Sequence, residues 1–212
     1  MSGLLLANEN NSFLSRARYP KGKKRLQAIL DATYEIVTSE GLAAASQEAI
    51  ARRADVTQSA VRHYFPTKEE LLLAFFNAGA ERLRAVLDAK LAEVSTDPRE
   101  KLLDVVATHL AWISEIEDLY YFESSAFWAR NYKYRDFRES WYQFLDREYR
   151  DLLAQIHPDW ARADYEATSF QIMTLTLGSW TTIGSTRPLQ KRRSQKSLVK
   201  MVVIGVEKLI DQ

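Results

Sequence analysis

The densest collection of hydrogen-bonding side chains in this sequence is the stretch DVTQSAVRHYFPTKEEL, Asp55 to Leu71. There Thr, Gln, Ser, Arg, His, Tyr and Lys surround only a few apolar residues and a proline interrupts the run. Three chemistries come into question: a solvated helix face, a catalytic cluster around His63, and a surface that reads a polar partner. Reactive groups elsewhere are sparse. The chain has no cysteine, which excludes disulfides, thiolate metal sites and cysteine nucleophiles. Its three histidines, His63, His109 and His157, are far apart and no HExxH-type pair occurs, so a zinc hydrolase has no footing. No nucleophile stands at motif spacing from a base, and no glycine-rich phosphate loop is present. The sequence therefore predicts a protein that is not an enzyme and that uses no cofactor or metal. A helical adaptor binding another protein is the remaining alternative to a reading surface.

Charge favours the reading surface. The net charge of +1 is unevenly spread: residues 1–68 hold 10 Lys or Arg against 6 Asp or Glu, and the remainder holds 19 against 22. In RARYPKGKKR, Arg16 to Arg25, six of ten residues are basic and none is acidic, a block suited to a solvated arm or to a phosphate backbone.

The elements that must position these residues read as helices. Apolar residues recur at helical spacing almost everywhere and no run alternates as a strand would, so the fold class expected is all-α with about nine helices. A first helix is expected over Lys23 to Glu40, stopped by Gly41. Ser46 caps a short helix over Gln47 to Ala54, and a second short helix runs from Thr57 to Tyr64, ended by Phe65 and Pro66. Thr67 and Glu70 supply a capping box for a long helix towards Val94. DPRE, Asp97 to Glu100, starts another. Breaks are expected near Asp118, near Tyr132 and at His157 to Asp159, with late helices over Arg162 to Ile183 and Lys191 to Ile210. The domain division expected is a flexible basic arm over 1–22, a DNA-sized helical module over 23–70 and a larger helical domain over 71–212.

Two helices of about eight residues joined by a short turn are too short to stand alone and must be packed on neighbours. That spacing is the pattern of a helix-turn-helix, whose second helix enters the major groove. Val56, Val61 and Phe65 fall on its inward face, and Gln58, Ser59, Arg62 and His63 project outward, a chemistry that base edges and phosphates accept. The segment SQEAIARRADVTQSAVRHYFPTKEELLLAFF, Ser46 to Phe76, resembles the DNA-binding domain of the TetR family of bacterial transcriptional regulators. Its marks are an alanine-rich second helix, a short turn, a recognition helix ending in an aromatic, and Phe-Pro-x-Lys-x-x-Leu. The resemblance implies a homodimer that represses a promoter through double-stranded operator DNA and a C-terminal helical domain that binds a small-molecule inducer. It implies DNA contacts at Gln47, Thr57, Gln58, Ser59, Arg62, His63 and Tyr64, and a phosphate contact at Lys68. The sequence departs from the family at Asp55, where glycine is usual, at Arg62, where tyrosine is usual, and at Tyr64, where histidine is usual.

The rest of the chain must have other work. The uncharged run Ala167 to Thr186 is long enough to cross a bilayer, yet its many Ser and Thr side chains suit a buried protein helix, so a cytoplasmic protein without membrane contact is expected. The late helices are apolar around more than one face, as when a partner helix covers the second. Trp112 to Trp141 holds ten of the 24 aromatic residues among several carboxylates, which suits a hydrophobic, flat aromatic or cationic ligand. FWA at Phe127 to Ala129 and GSW at Gly178 to Trp180 resemble the C-terminal domain of choline-responsive betaine-pathway repressors. Trp128, Tyr132, Trp141 and Trp180 are the expected pocket residues.

Overall fold

A computed structural model describes residues 12–93, 97–131, 135–184 and 192–211. Among them nine α-helices occur and no strand: α1 Pro20–Glu40, α2 Gln47–Arg53, α3 Gln58–Tyr64, α4 Lys68–Ala92, α5 Pro98–Glu115, α6 Asp118–Arg130, α7 Arg135–Ile156, α8 Arg162–Gly178 and α9 Gln195–Ile210. Short 3-10 turns lie at Leu14–Arg16 and Ser179–Thr181. The residues form two compact units, one running to Ala85 and including Phe122–Ser124, the other made of Val86–Tyr121 and the chain from Ser125 onward. The first unit therefore extends beyond Leu71, where the sequence suggested a boundary, because α4 continues to bury Phe75, Phe76 and Ala78 in the same core.

In the first unit each helix start has a local cause. Pro20 opens α1 in the first turn, where a missing N–H costs nothing. The Ser46 hydroxyl accepts the Ala49 N–H at 3.0 Å, Thr57 the Ala60 N–H at 3.2 Å, and Thr67 the Glu70 N–H at 3.1 Å. α1 ends at Gly41, whose φ of 85° is a conformation that glycine adopts without a Cβ clash and whose N–H reaches back to the Ile36 carbonyl. The faces of α1, α2 and α3 then close on one another through Leu26, Ile29, Leu30, Ile36, Val37, Ile50, Val61 and Phe65, all at most 2% exposed. Each such burial contributes about 1.5–3 kcal/mol, which stabilises two helices of seven residues that could not persist in isolation.

The expected flexible arm over 1–22 divides. Residues 1–11 lie outside the described residues. Residues 12–22 belong to the fold: Phe13 is fully buried, Leu14 and Ala17 nearly so, and α1 begins three residues earlier than the periodicity of its apolar face suggested.

The second unit is built on α5, which packs on α7, α8 and α9 through Leu102, Val105, Val106, Leu110 and Ile113. Asp97 caps it, accepting the Arg99 N–H at 2.8 Å, with Pro98 at its first position. The turn between α7 and α8 is fastened where the His157 and Trp160 rings stack at 4.0 Å, Tyr165 Oη donates to the His157 carbonyl, and His157 Nε2 sits 2.7 Å from the Ile210 carbonyl. α8 stops at Gly178 rather than at Ile183, and α9 begins at Gln195 rather than Lys191, capped by Ser194. Phe170 and Leu175 on α8 and Met201 and Ile204 on α9 remain exposed. A Cβ placed at Gly205 would lie 3.7 Å from the Leu175 side chain, so these apolar residues form one continuous strip. Among the described residues no helix is long and apolar enough to cross a membrane.

Candidate nucleic-acid interface

α3 is the element that carries the polar cluster, and its geometry follows from the turn before it. Asp55 sits at φ 52°, the left-handed region that the family's glycine would occupy freely and that Asp tolerates better than most residues. Beyond it Val56 N–H returns to the Ala51 carbonyl at 3.0 Å, and Thr57 starts α3. With Val61 and Phe65 fully buried, the helical repeat leaves Ser59, Arg62 and His63 exposed and Gln58 half-buried at the rim. Thr57 is exposed, but its hydroxyl is engaged by the Ala60 N–H and by Ser59 Oγ at 3.2 Å, so it fixes the start of the helix.

The other expected contact residues are tied into the unit itself. Gln47 Nε2 donates to the Phe65 carbonyl at 2.6 Å, satisfying the end of α3 from the start of α2. Lys68 Nζ donates to the Leu42 and Ala43 carbonyls at 2.9 and 3.3 Å, closing the turn after α1. Partial burial lowers its ammonium from the usual value, with the nearby Glu123 carboxylate opposing that shift. Glu123 also accepts the Leu42 N–H at 3.0 Å, and a Cβ on Gly41 would come within 2.9 Å of the same carboxylate. Lys68 thus stands at the junction that holds α1, α2 and α4 together.

Tyr64 is half-buried, and its surroundings were not readable from its own helix. The Arg16 guanidinium donates to the Tyr64 carbonyl at 3.0 Å and lies over the Phe65 ring at 4.7 Å, while the Phe13 ring packs on Phe65 at 4.7 Å. The segment before α1 therefore closes the C-terminal end of α3. The next basic residues, Arg18, Lys21, Lys23 and Lys24, are all exposed. α1 has no acidic residue in its first turn, so these lysines face the positive end of the helix dipole with nothing to offset them.

Residues 29–75, which span this arrangement, match the model of a family described as bacterial regulatory proteins, tetR family. The chain belongs to the TetR family. Among TetR-family relatives it is 31% identical over 109 residues to the HTH-type transcriptional regulator PksA of Bacillus subtilis, covering 49% of this chain and 52% of PksA. It is 33% identical over 85 residues to the HTH-type transcriptional regulator BetI of Paraburkholderia phytofirmans, covering 40% of this chain and 44% of BetI. The chain thus spans about half the length of the curated relatives it matches. A TetR-family transcriptional regulator from Streptomyces coelicolor shares the fold with a TM-score of 0.73 at 19% identity over 98% of both chains. These relatives are transcriptional regulators, not enzymes.

The residues expected to line a TetR-type ligand pocket fall in the second unit, Tyr132 excepted, which lies outside the described residues. Trp128, Trp141 and Trp180 are each half-buried. Trp141 lies edge-on to the His109 ring at 5.9 Å and against Phe144 at 5.7 Å, whereas Trp180 packs on Tyr121 at 5.0 Å. His109 was missed as a site residue, although its place between Val105, Val106 and Ile113 puts an imidazole on the apolar stripe of α5. Its burial is complete and lowers its pKa to about 3, so the ring is neutral at physiological pH.

Proposed function

We propose that this chain is a DNA-binding transcriptional regulator that acts in the cytoplasm as a homodimeric repressor and is released from its operator by a small hydrophobic, aromatic or cationic ligand in the second unit. The observation that carries the reading is the face of α3: Ser59, Arg62 and His63 exposed, Gln58 at the rim, and Val61 and Phe65 anchoring the opposite side at 0% exposure. A helix anchored so offers its N-terminal residues to base edges and Arg62 to a base or phosphate. The uncompensated basic turn at the start of α1 supports the same partner, since a local charge arrangement that disfavours the free helix is relieved by a phosphate. Gln47 and Lys68 enter the proposal as positioning residues that hold the ends of α3 and α1.

For the homodimer, the support is the apolar strip of Phe170, Leu175, Met201 and Ile204. Two recognition helices then read half-sites about 34–36 Å apart. Ligand binding acts by shifting the population of dimers with that spacing, read out through α4, which both units share.

The test is selection of bound genomic DNA by the full chain, followed by binding of the selected site at several salt concentrations. Arg62→Ala should weaken binding to any sequence and reduce the salt slope by about 1. Gln58→Ala should chiefly relax sequence preference. Unchanged binding in both variants would sink the assignment of α3 to the groove.

A further inference from the structure

Burial without a partner singles out one region inside the second unit. Both ring nitrogens of His109, the Tyr149 hydroxyl and the Trp180 indole nitrogen are shielded from solvent and make no hydrogen bond, and His109 and Tyr149 are each 0% exposed. The three residues sit on elements that pack on one another: α5 on α7, and α5 on the turn Ser179–Thr181. Thr176 lies beside Tyr149 but spends its hydroxyl hydrogen on the Ile172 carbonyl at 2.8 Å, so it does not donate to the phenol. Orphaned buried polar groups are rare in native interiors because each costs roughly 1–3 kcal/mol. Several together, among aromatic rings, describe the polar complement of something that enters.

The chemistry of that complement is definite. A neutral imidazole offers one donor and one acceptor, the Tyr149 hydroxyl the same, and the indole a donor. Among the described residues no Asp, Glu, Lys or Arg is fully buried, so neither a cation nor a carboxylate entering here meets a buried counter-ion. The guanidinium of nearby Arg150 is already paired with Asp146 and Glu166. A quaternary ammonium could lie against the aromatic faces, yet it can neither donate to nor accept from the orphaned atoms.

We infer that the small molecule taken by the second unit is an uncharged aromatic or alicyclic compound bearing a hydroxyl group, bound with that hydroxyl on His109 and Tyr149 and its ring against Trp141. The inference rests on the proposal that this unit is a ligand-binding domain, and it narrows that proposal by setting aside cations of the choline type.

The experiment compares three probes of one shape by titration calorimetry on the full chain: 2-naphthol, 2-methylnaphthalene and trimethyl(2-naphthyl)ammonium. The result expected is 2-naphthol binding about tenfold or more tightly than either of the others, the order set by one to two satisfied hydrogen bonds. His109→Phe keeps the ring and removes both nitrogens, and it should bring 2-naphthol and 2-methylnaphthalene to within about threefold of each other. Tyr149→Phe, a smaller change, serves the same comparison if the histidine variant fails to fold. Equal affinities for the two neutral probes, as when ordered water alone satisfies His109, would overturn the inference. So would tightest binding of the ammonium probe, no binding of 2-naphthol, or a folded variant that keeps the full preference. Retained 2-naphthol selectivity with no DNA binding would remove the regulator reading instead, so the two failures are told apart.

Discussion

Acidification is the perturbation that His109 should report most directly. Its pKa is about 3 in the folded chain against 6.5 for a free imidazole, because complete burial disfavours the cation. Between those values the unfolded chain binds a proton that the folded chain refuses, so stability rises with pH through this window and is lost as pH falls below 6.5. From pH 7.5 to 5.5 the loss assigned to this one group is about 1.4 kcal/mol, nearly all of it below pH 6.5. Urea unfolding followed by tryptophan fluorescence measures it, with Trp141 at 5.9 Å from the imidazole as a local reporter. His109→Phe provides the reference, since His63, His157 and the carboxylates titrate alike in both chains. The wild type should lose about 1.4 kcal/mol more than the variant over this interval. Parallel pH dependence in the two chains, or an imidazole resonance of His109 titrating near 6.5, would refute the reasoning.

Three further substitutions probe the first unit. Asp55→Gly relieves a left-handed backbone at φ 52° and should raise stability by about 0.5 kcal/mol in denaturant unfolding, the gain in strain being partly offset by the freer unfolded chain. Thr57→Ala removes the hydroxyl that accepts the Ala60 N–H, and should cost about 1 kcal/mol in the same assay with a matching drop in operator affinity. Lys68→Met leaves the Leu42 and Ala43 carbonyls without their donor; it should destabilise the unit in thermal unfolding while leaving the salt slope of DNA binding intact, in contrast to Arg62→Ala. A salt slope reduced equally in both variants would mean that Lys68 reaches phosphate after all.

What was legible beforehand was what the chain encodes locally. Ser46, Thr57, Thr67 and Asp97 each act on an N–H two or three residues away, so their caps could be placed from spacing alone. Asp55 at a turn and the i, i+4 pair Val61 and Phe65 were equally local. What escaped were contacts between residues far apart in the chain. Lys68 is 26 residues from Leu42, Arg16 is 48 from Tyr64 and Glu123 is 81 from Leu42. A charged residue in such a pairing has the same sequence signature as one left free for phosphate. His109 escaped for a different reason: a lone histidine on an apolar stripe carries no mark of whether its nitrogens find partners.

The contact of Phe13 with Phe65 bears on how separable the reading element is. A hybrid regulator assembled by grafting residues 23–70 onto a foreign body would carry α3 without the ring that covers its final residue and without the Arg16 donor on the Tyr64 carbonyl. The smallest transplantable reader starts before Phe13, and a fusion or tag placed between Phe13 and Pro20 would cut through it.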